Sequence, residues 1–259
     1  MWRNLKELYQ YRGLLLSLVQ RELQARYRGS VLGFLWTFLN PTLLMLVYGL
    51  VFSVYMRQSI PNYLYFMFVG LLPWIWFSTS VVSGASSISD RRDLLTKVHF
   101  PAQVLPATVV TTHLVNFLLS LPLMFVLGAV HGIFPSWHLL ALPFVVAVQL
   151  CLTLGVAYLV AALNVTFRDL QHIVGNLITL GFFLTPILYT MTTIPEQGRA
   201  LVMVANPMAA LITSYQAILI DHRLPEAAPL AWVTLVSMAL LWGASSLFEA
   251  RREEFAESV

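Results

Sequence analysis

Between Lys97 and Arg168 the chain runs through 70 residues without a single Asp, Glu, Lys or Arg. About 20 apolar residues, each rising about 1.5 Å, are enough for a helix to cross the hydrocarbon core of a bilayer. The run therefore suffices for two crossings, with a turn at His131-Gly132-Ile133-Phe134-Pro135. Other apolar runs flank it, and a water-soluble fold of 259 residues could not hide them all. Charged residues make up only 10% of the chain, against about 25% in soluble domains. These features predict an all-α integral membrane protein, folded as a single transmembrane domain over residues 1–259.

The charge-free runs predict six transmembrane helices, at residues 30–56, 62–89, 102–130, 138–164, 170–190 and 227–248. Lys and Arg orient them. With six spans, 12 of the 15 basic residues fall on one face, leaving Arg57, Arg199 and Arg223 on the other. Cytoplasmic loops are enriched in Lys and Arg, so both termini are expected in the cytoplasm. The net charge of +3 follows from this topology and does not indicate nucleic acid, because no basic stripe with interleaved aromatics lies outside the spans. Residues 193–220 are also largely apolar, but Asn206-Pro207 interrupts them and a seventh full span would move Arg251 and Arg252 outside. Two short helices re-entering the outer leaflet fit this region better, since broken backbone is tolerated at depth only when protein surrounds it. At the other end, residues 1–29 are expected to be cytoplasmic. Leu5, Leu8, Tyr9, Leu15, Leu16, Val19 and Leu23 recur there at roughly helical spacing. The pattern suits an amphipathic helix in the membrane interface, or a soluble cap on the bundle. It is not a signal peptide: Gly13 to Val19 is a short apolar segment, and Arg21 and Glu22 follow without a cleavage site.

Chemistry is sparse. No Asp or Glu lies centrally in a span, where an ion-coupled carrier would place a titratable group. His113 is the one histidine near mid-membrane, a relay or substrate contact or simply a packed residue; Cys151 is most simply a small core residue. No Walker A, HExxH, CxxC or GxSxG pattern occurs. The sequence therefore predicts no catalytic, cofactor or metal-binding residue in this chain, and energy supplied from elsewhere.

Two features could carry transport. The loop Ser89-Asp90-Arg91-Arg92-Asp93-Leu94-Leu95-Thr96-Lys97-Val98-His99-Phe100-Pro101 could form a short helix, capped by Ser89 or Asp90, with Asp93 and Lys97 four residues apart. Such a helix, charged at its leading end and apolar along Leu94, Leu95 and Val98, could be gripped by a soluble partner; a solvated turn is the plainer reading. Aromatics supply 13% of residues. Tyr48, Phe52 and Tyr55 share one face at α-helical spacing. They could anchor the span at the interface, or offer ring faces on which sugars slide.

Taken in order, several motifs resemble the polysaccharide exporters of the ABC-2 type, the membrane subunits that move O-antigen, capsule or teichoic acid. They are Arg21-Glu22-Leu23-Gln24-Ala25-Arg26-Tyr27-Arg28-Gly29-Ser30-Val31-Leu32-Gly33-Phe34-Leu35-Trp36 and the following Asn40-Pro41, then Gly70-Leu71-Leu72-Pro73-Trp74. Asn164-Val165-Thr166-Phe167-Arg168-Asp169-Leu170, Phe183-Leu184-Thr185-Pro186-Ile187-Leu188-Tyr189 and Asn206-Pro207 complete the series, which covers essentially the whole chain. The resemblance implies a homodimer with two copies of an ATPase subunit that binds the ATP and Mg. Its cargo would be an undecaprenyl-diphosphate-linked polysaccharide, O-antigen first, drawn from the cytoplasmic side of a bacterial inner membrane. Residues 90–100 would be the coupling helix, contacting the ATPase through Asp90, Arg91, Arg92, Asp93, Leu94, Leu95, Lys97 and Phe100. Tyr48, Phe52, Tyr55, Phe182, Phe183 and Tyr189 would line the channel. Arg21, Arg26, Arg28 and Arg91 would hold the lipid head group at the entrance, and residues 193–220 would gate the periplasmic mouth. Alternatives are a capsule or teichoic acid exporter, an ABC-2 exporter of a small lipid or drug, or, more distantly, a membrane-embedded glycosyltransferase.

Overall fold

The computed structural model describes residues 2–91, 100–167 and 169–251. Of the expected coupling helix, Arg92, Asp93, Leu94, Leu95 and Lys97 therefore lie outside the described residues, as does Arg168.

The centre of the bundle is α4, Tyr63–Ser86. Its sequence is apolar on every side, and it is buried on nearly every side, as expected of a helix enclosed by others. Around it stand α3 (Trp36–Gly49), α5 (Val104–Val130), α6 (Leu142–Asn164) and α7 (Leu170–Leu184). The last long helix, α10 (Ala227–Ala250), packs along α6. Their approach depends on Gly155, where an added Cβ would lie 2.9 Å from the Leu241 backbone nitrogen. Small residues at such crossings let backbones draw close, the main source of helix association in lipid. A second close approach occurs at Gly84, where an added Cβ would come within 3.1 Å of the Ala157 Cβ.

Among the described residues, five helical stretches are long and apolar enough to span a bilayer: Gly33–Tyr55, Tyr63–Ser86, Val104–Val130, Trp137–Asn164 and Ala227–Ala250. The expected turn after the third is a Schellman end. Ile133 N–H donates to Gly128 O at 2.8 Å and Gly132 N–H to Ala129 O at 3.0 Å, with Gly132 at φ +75°. The first stretch begins as a 3-10 turn, runs as α3 and then widens into a π-helical turn over Leu50–Tyr55. That widening rotates Phe52 and Tyr55 away from the register in which α-helical spacing aligns them with Tyr48.

The fifth expected span differs most from its sequence reading. Its helix, α7, has 15 residues and is about 22 Å long, short of the roughly 30 Å hydrocarbon core. It stops because Pro186 disfavours helical backbone at Thr185, which is extended at φ −102° and ψ 137°. The chain continues inside the protein, with Ile187 and Leu188 buried. Neighbouring side chains satisfy the freed carbonyls: Gln216 Nε2 donates to Pro186 O at 2.9 Å and Tyr63 Oη to Leu188 O at 2.9 Å. Irregular backbone at this depth persists because such partners replace water.

Residues 193–220 form a bent pair, α8 (Glu196–Ala205) and α9 (Pro207–Leu219), meeting at 107°. If the pair counts as one span, the apolar stretches able to cross number six among the described residues. Asn206 makes the corner. Its Oδ1 accepts from Met208 N at 3.1 Å and Ala209 N at 3.3 Å, capping α9, while Pro207 takes the first helical position. Its Nδ2 donates to Thr185 Oγ1 at 2.9 Å, tying the corner to the end of α7. The α9 helix itself is almost wholly buried against α4 and α6. Tyr215 Oη donates to Gln149 Oε1 at 2.8 Å, and Gln149 Nε2 donates to Pro73 O at 2.8 Å, which joins α9, α6 and the proline turn of α4.

Before the bundle come α1 (Trp2–Gln10) and α2 (Arg12–Tyr27), broken at Tyr11. The apolar periodicity does not persist as one stripe through both helices. Val19 is buried, whereas Leu16, one turn away, is exposed.

Candidate transport cavity

A cavity of about 870 Å³ opens beneath α3, against α4, α5 and α7. It begins near Arg26, at the end of the bundle where α2 lies, and reaches Leu71 on α4 and Phe183 on α7. From Ser83 to Leu71 on α4 this is about 18 Å of depth.

One wall is aromatic. Tyr48 and Phe182 stack with ring centroids 5.5 Å apart, Phe182 meets Trp74 at 5.9 Å, and Phe183 packs edge-on against Phe182 at 5.3 Å. Thus α3, α4 and α7 each contribute rings to one continuous surface. Of the six expected lining residues, Tyr48, Phe182 and Phe183 border the cavity. Phe52 packs on the core instead, Tyr55 is 71% exposed, and Tyr189, whose Oη donates to Phe183 O at 3.2 Å, is not part of the lining. Trp74 stood in a sequence motif but not among the expected lining residues; its place in the wall comes from packing alone.

Another part of the lining is polar. His113, Asn116 and Ser120 recur at three- and four-residue intervals on α5 and face the space, with Thr79 and Ser83 on α4 nearby. The spacing is visible in the sequence, but a polar row at helical period reads equally as interhelical packing. Which helix it faces is settled only by assembly.

The four arginines expected at an entrance are separately placed. Arg26 borders the cavity, and Arg21 and Arg28 are exposed on and just beyond α2. Arg91 is instead engaged: its Nη2 donates to Glu22 Oε2 at 3.0 Å, both side chains being roughly a quarter exposed. Gln103 Nε2 donates to Glu7 Oε2 at 3.1 Å. The two N-terminal helices thereby grip the chain on both sides of residues 92–99. Asp90 and Arg91 sit in a 3-10 turn, Ser89–Arg91, and Phe100 begins the segment leading to α5. Among the described residues, no group of three His, Cys, Asp or Glu side chains could hold a metal ion.

A helical bundle with a cavity entering from one end is an architecture that membrane permeases share. Residues 13–220 match the ABC-2 type transporter family. The chain belongs to that family. Over their full lengths, it is 68% identical to the O-antigen export system permease protein RfbA of Myxococcus xanthus. It is 33% identical to the protein of that name from Klebsiella pneumoniae, across 94% of each chain. The polysialic acid transport protein KpsM of Escherichia coli is 20% identical, over 93% of this chain and 95% of its own. Family membership makes the protein a multi-pass membrane permease rather than an enzyme, in agreement with the reading of its motifs.

Proposed function

We propose that this chain is the permease subunit of an ATP-driven exporter that carries lipid-linked O-antigen polysaccharide from the cytoplasm to the periplasm. The observation that carries the reading is the cavity: it runs from Arg26 to an aromatic wall, inside a bundle with no acidic group at depth. Aromatic faces pack against the C–H faces of sugars without fixing a register, so a polymer can slip past them. The relatives' names all speak of sugar polymers.

The functional unit would be a homodimer with two ATPase subunits. An exposed apolar surface on α3 and α7, including Leu43, Val47, Leu177 and Leu180, flanks the open side of the cavity and suits a second copy that completes the conduit. Both termini would be cytoplasmic. The ATPase subunit would bind ATP and Mg and seat residues 90–100, so that its closure moves the bundle. Because Arg91 pairs with Glu22, motion of that segment would reach α2 and Arg26 directly. Arg21, Arg26 and Arg28 would meet the diphosphate of the lipid carrier, where guanidinium groups bind phosphate well. The pair α8–α9 would gate the far mouth.

Expression with and without the neighbouring ATPase tests this. Co-purification of the two, and cytoplasmic accumulation of polysaccharide in cells lacking the permease, are the expected results. Transport by the purified chain without an ATPase would overturn the proposal, as would unchanged surface polysaccharide in the deletion strain.

A further inference from the structure

Asn116 lies near the middle of α5, and both its Nδ2 and its Oδ1 are buried without a hydrogen-bond partner among the described residues. The side chain borders the cavity. Across from it on α4, the Trp76 ring stacks on Phe117 at 5.2 Å, setting these turns of α4 and α5 against each other. Trp76 also lines this space, and its Nε1–H is buried without an acceptor. One turn away on each helix, Ser80 and Thr112 have buried hydroxyls with no partner, although helical Ser and Thr commonly donate to the carbonyl four residues back. Four unsatisfied polar side chains thus lie within two successive turns of α4 and α5, and Asn116 and Trp76 among them line the cavity. Other deep polar groups are partnered, as at Gln149, Tyr215 and Gln216, although the Tyr158 hydroxyl on α6 is buried without a partner as well.

Unpaired polar groups at membrane depth are costly and mark function more often than packing. The chemistry of this set is specific. A primary amide offers a donor and an acceptor side by side, and the indole adds a donor; no formal charge is present. That is complementary to a neutral group that both donates and accepts, such as a sugar hydroxyl or an N-acetyl amide. It does not suit a phosphate, which would call for cations, nor an acyl chain, which would leave every group unsatisfied.

We infer that the recess at Asn116 and Trp76 is a binding site for one sugar unit of the cargo, read through its hydroxyl or acetamido edge. This rests on the export reading and deepens it: the aromatic wall lets the polymer slide, while the amide wall holds a ring at a defined step and favours some sugars over others. Asn116 contacts the cargo, and its polarity is kept at the expense of stability.

Asn116→Leu and Trp76→Phe, each assembled with the ATPase, test the site. Both are compared with the wild type for thermal midpoint in detergent, for binding of oligosaccharide released from the cell's own surface polysaccharide, and for export in proteoliposomes. Removing an orphaned amide should leave the midpoint of Asn116→Leu equal or higher. Oligosaccharide affinity should fall about tenfold, the equivalent of one good hydrogen-bonded contact, and export should slow. Wild-type affinity and export in Asn116→Leu would overturn the site while leaving the export reading intact. A lowered midpoint with unchanged affinity would also overturn it, because the amide would then be structural. Oligosaccharide binding that depends on Asn116, in a wild-type complex that exports nothing, would support the site and sink the export reading instead.

Discussion

Replacing Asn206 should separate two jobs that one side chain performs at the α8–α9 corner. Its Oδ1 caps α9 by accepting from Met208 N and Ala209 N, and its Nδ2 donates to Thr185 Oγ1. Loss of a good N-cap costs about 1 kcal/mol. Loss of a net hydrogen bond costs about 1 kcal/mol more. Asn206→Ala removes both, so about 2 kcal/mol should be lost, a fall in thermal midpoint of roughly 4–8 °C for a chain of this size. Asn206→Asp keeps the capping acceptor and loses the donor. Because Thr185 Oγ1 already donates to Gly181 O at 2.6 Å, its hydroxyl cannot simply turn round to meet the new carboxylate. Asp should therefore fall by about half as much as Ala, about 1 kcal/mol. The assay is thermal unfolding in detergent followed by tryptophan fluorescence, with hydrogen exchange at residues 208–210 to locate the fraying. Equal midpoints for Ala and wild type would refute the reasoning. So would an Asp variant as unstable as Ala with the amides of α9 still protected, for the loss would then lie in the tie and not in the cap.

Three other expectations follow from particular contacts. A double-mutant cycle on Glu22→Gln and Arg91→Gln should give a coupling of about 1 kcal/mol, the upper end for a partly exposed ion pair; unfolding in detergent at low and high salt reads it. Gly155→Leu should prevent α10 from closing on α6, since its Cβ alone would sit 2.9 Å from the Leu241 nitrogen; loss of monodisperse protein on size exclusion checks this, with Gly175→Leu, where nothing crowds an added Cβ, as the tolerated control. Phe182→Leu should lose about 1 kcal/mol of ring–ring contact with Tyr48 and Trp74 and slow export more than Tyr55→Leu, measured as surface polysaccharide recovered per hour.

Membrane residence and helical class could be read directly from the sequence, because a bilayer penalises charge and unsatisfied backbone so heavily that a 70-residue charge-free run has few other outcomes. The corner at Asn206-Pro207 and the turn at Gly132 were legible for the same kind of reason: each depends on local backbone chemistry. Tertiary structure decided what local chemistry leaves open. It supplied Gln216 and Tyr63 to satisfy the chain beyond the end that Pro186 imposes on α7, a pairing across sequence that no periodicity announces. It turned Phe52 and Tyr55 out of line through a π-helical turn. It placed Trp74 with Tyr48 and Phe182 and left Asn116 facing a cavity unpaired. In an apolar chain every helix face is oily enough to meet lipid or another helix, so hydropathy alone cannot choose between them; only the fit of side chains does.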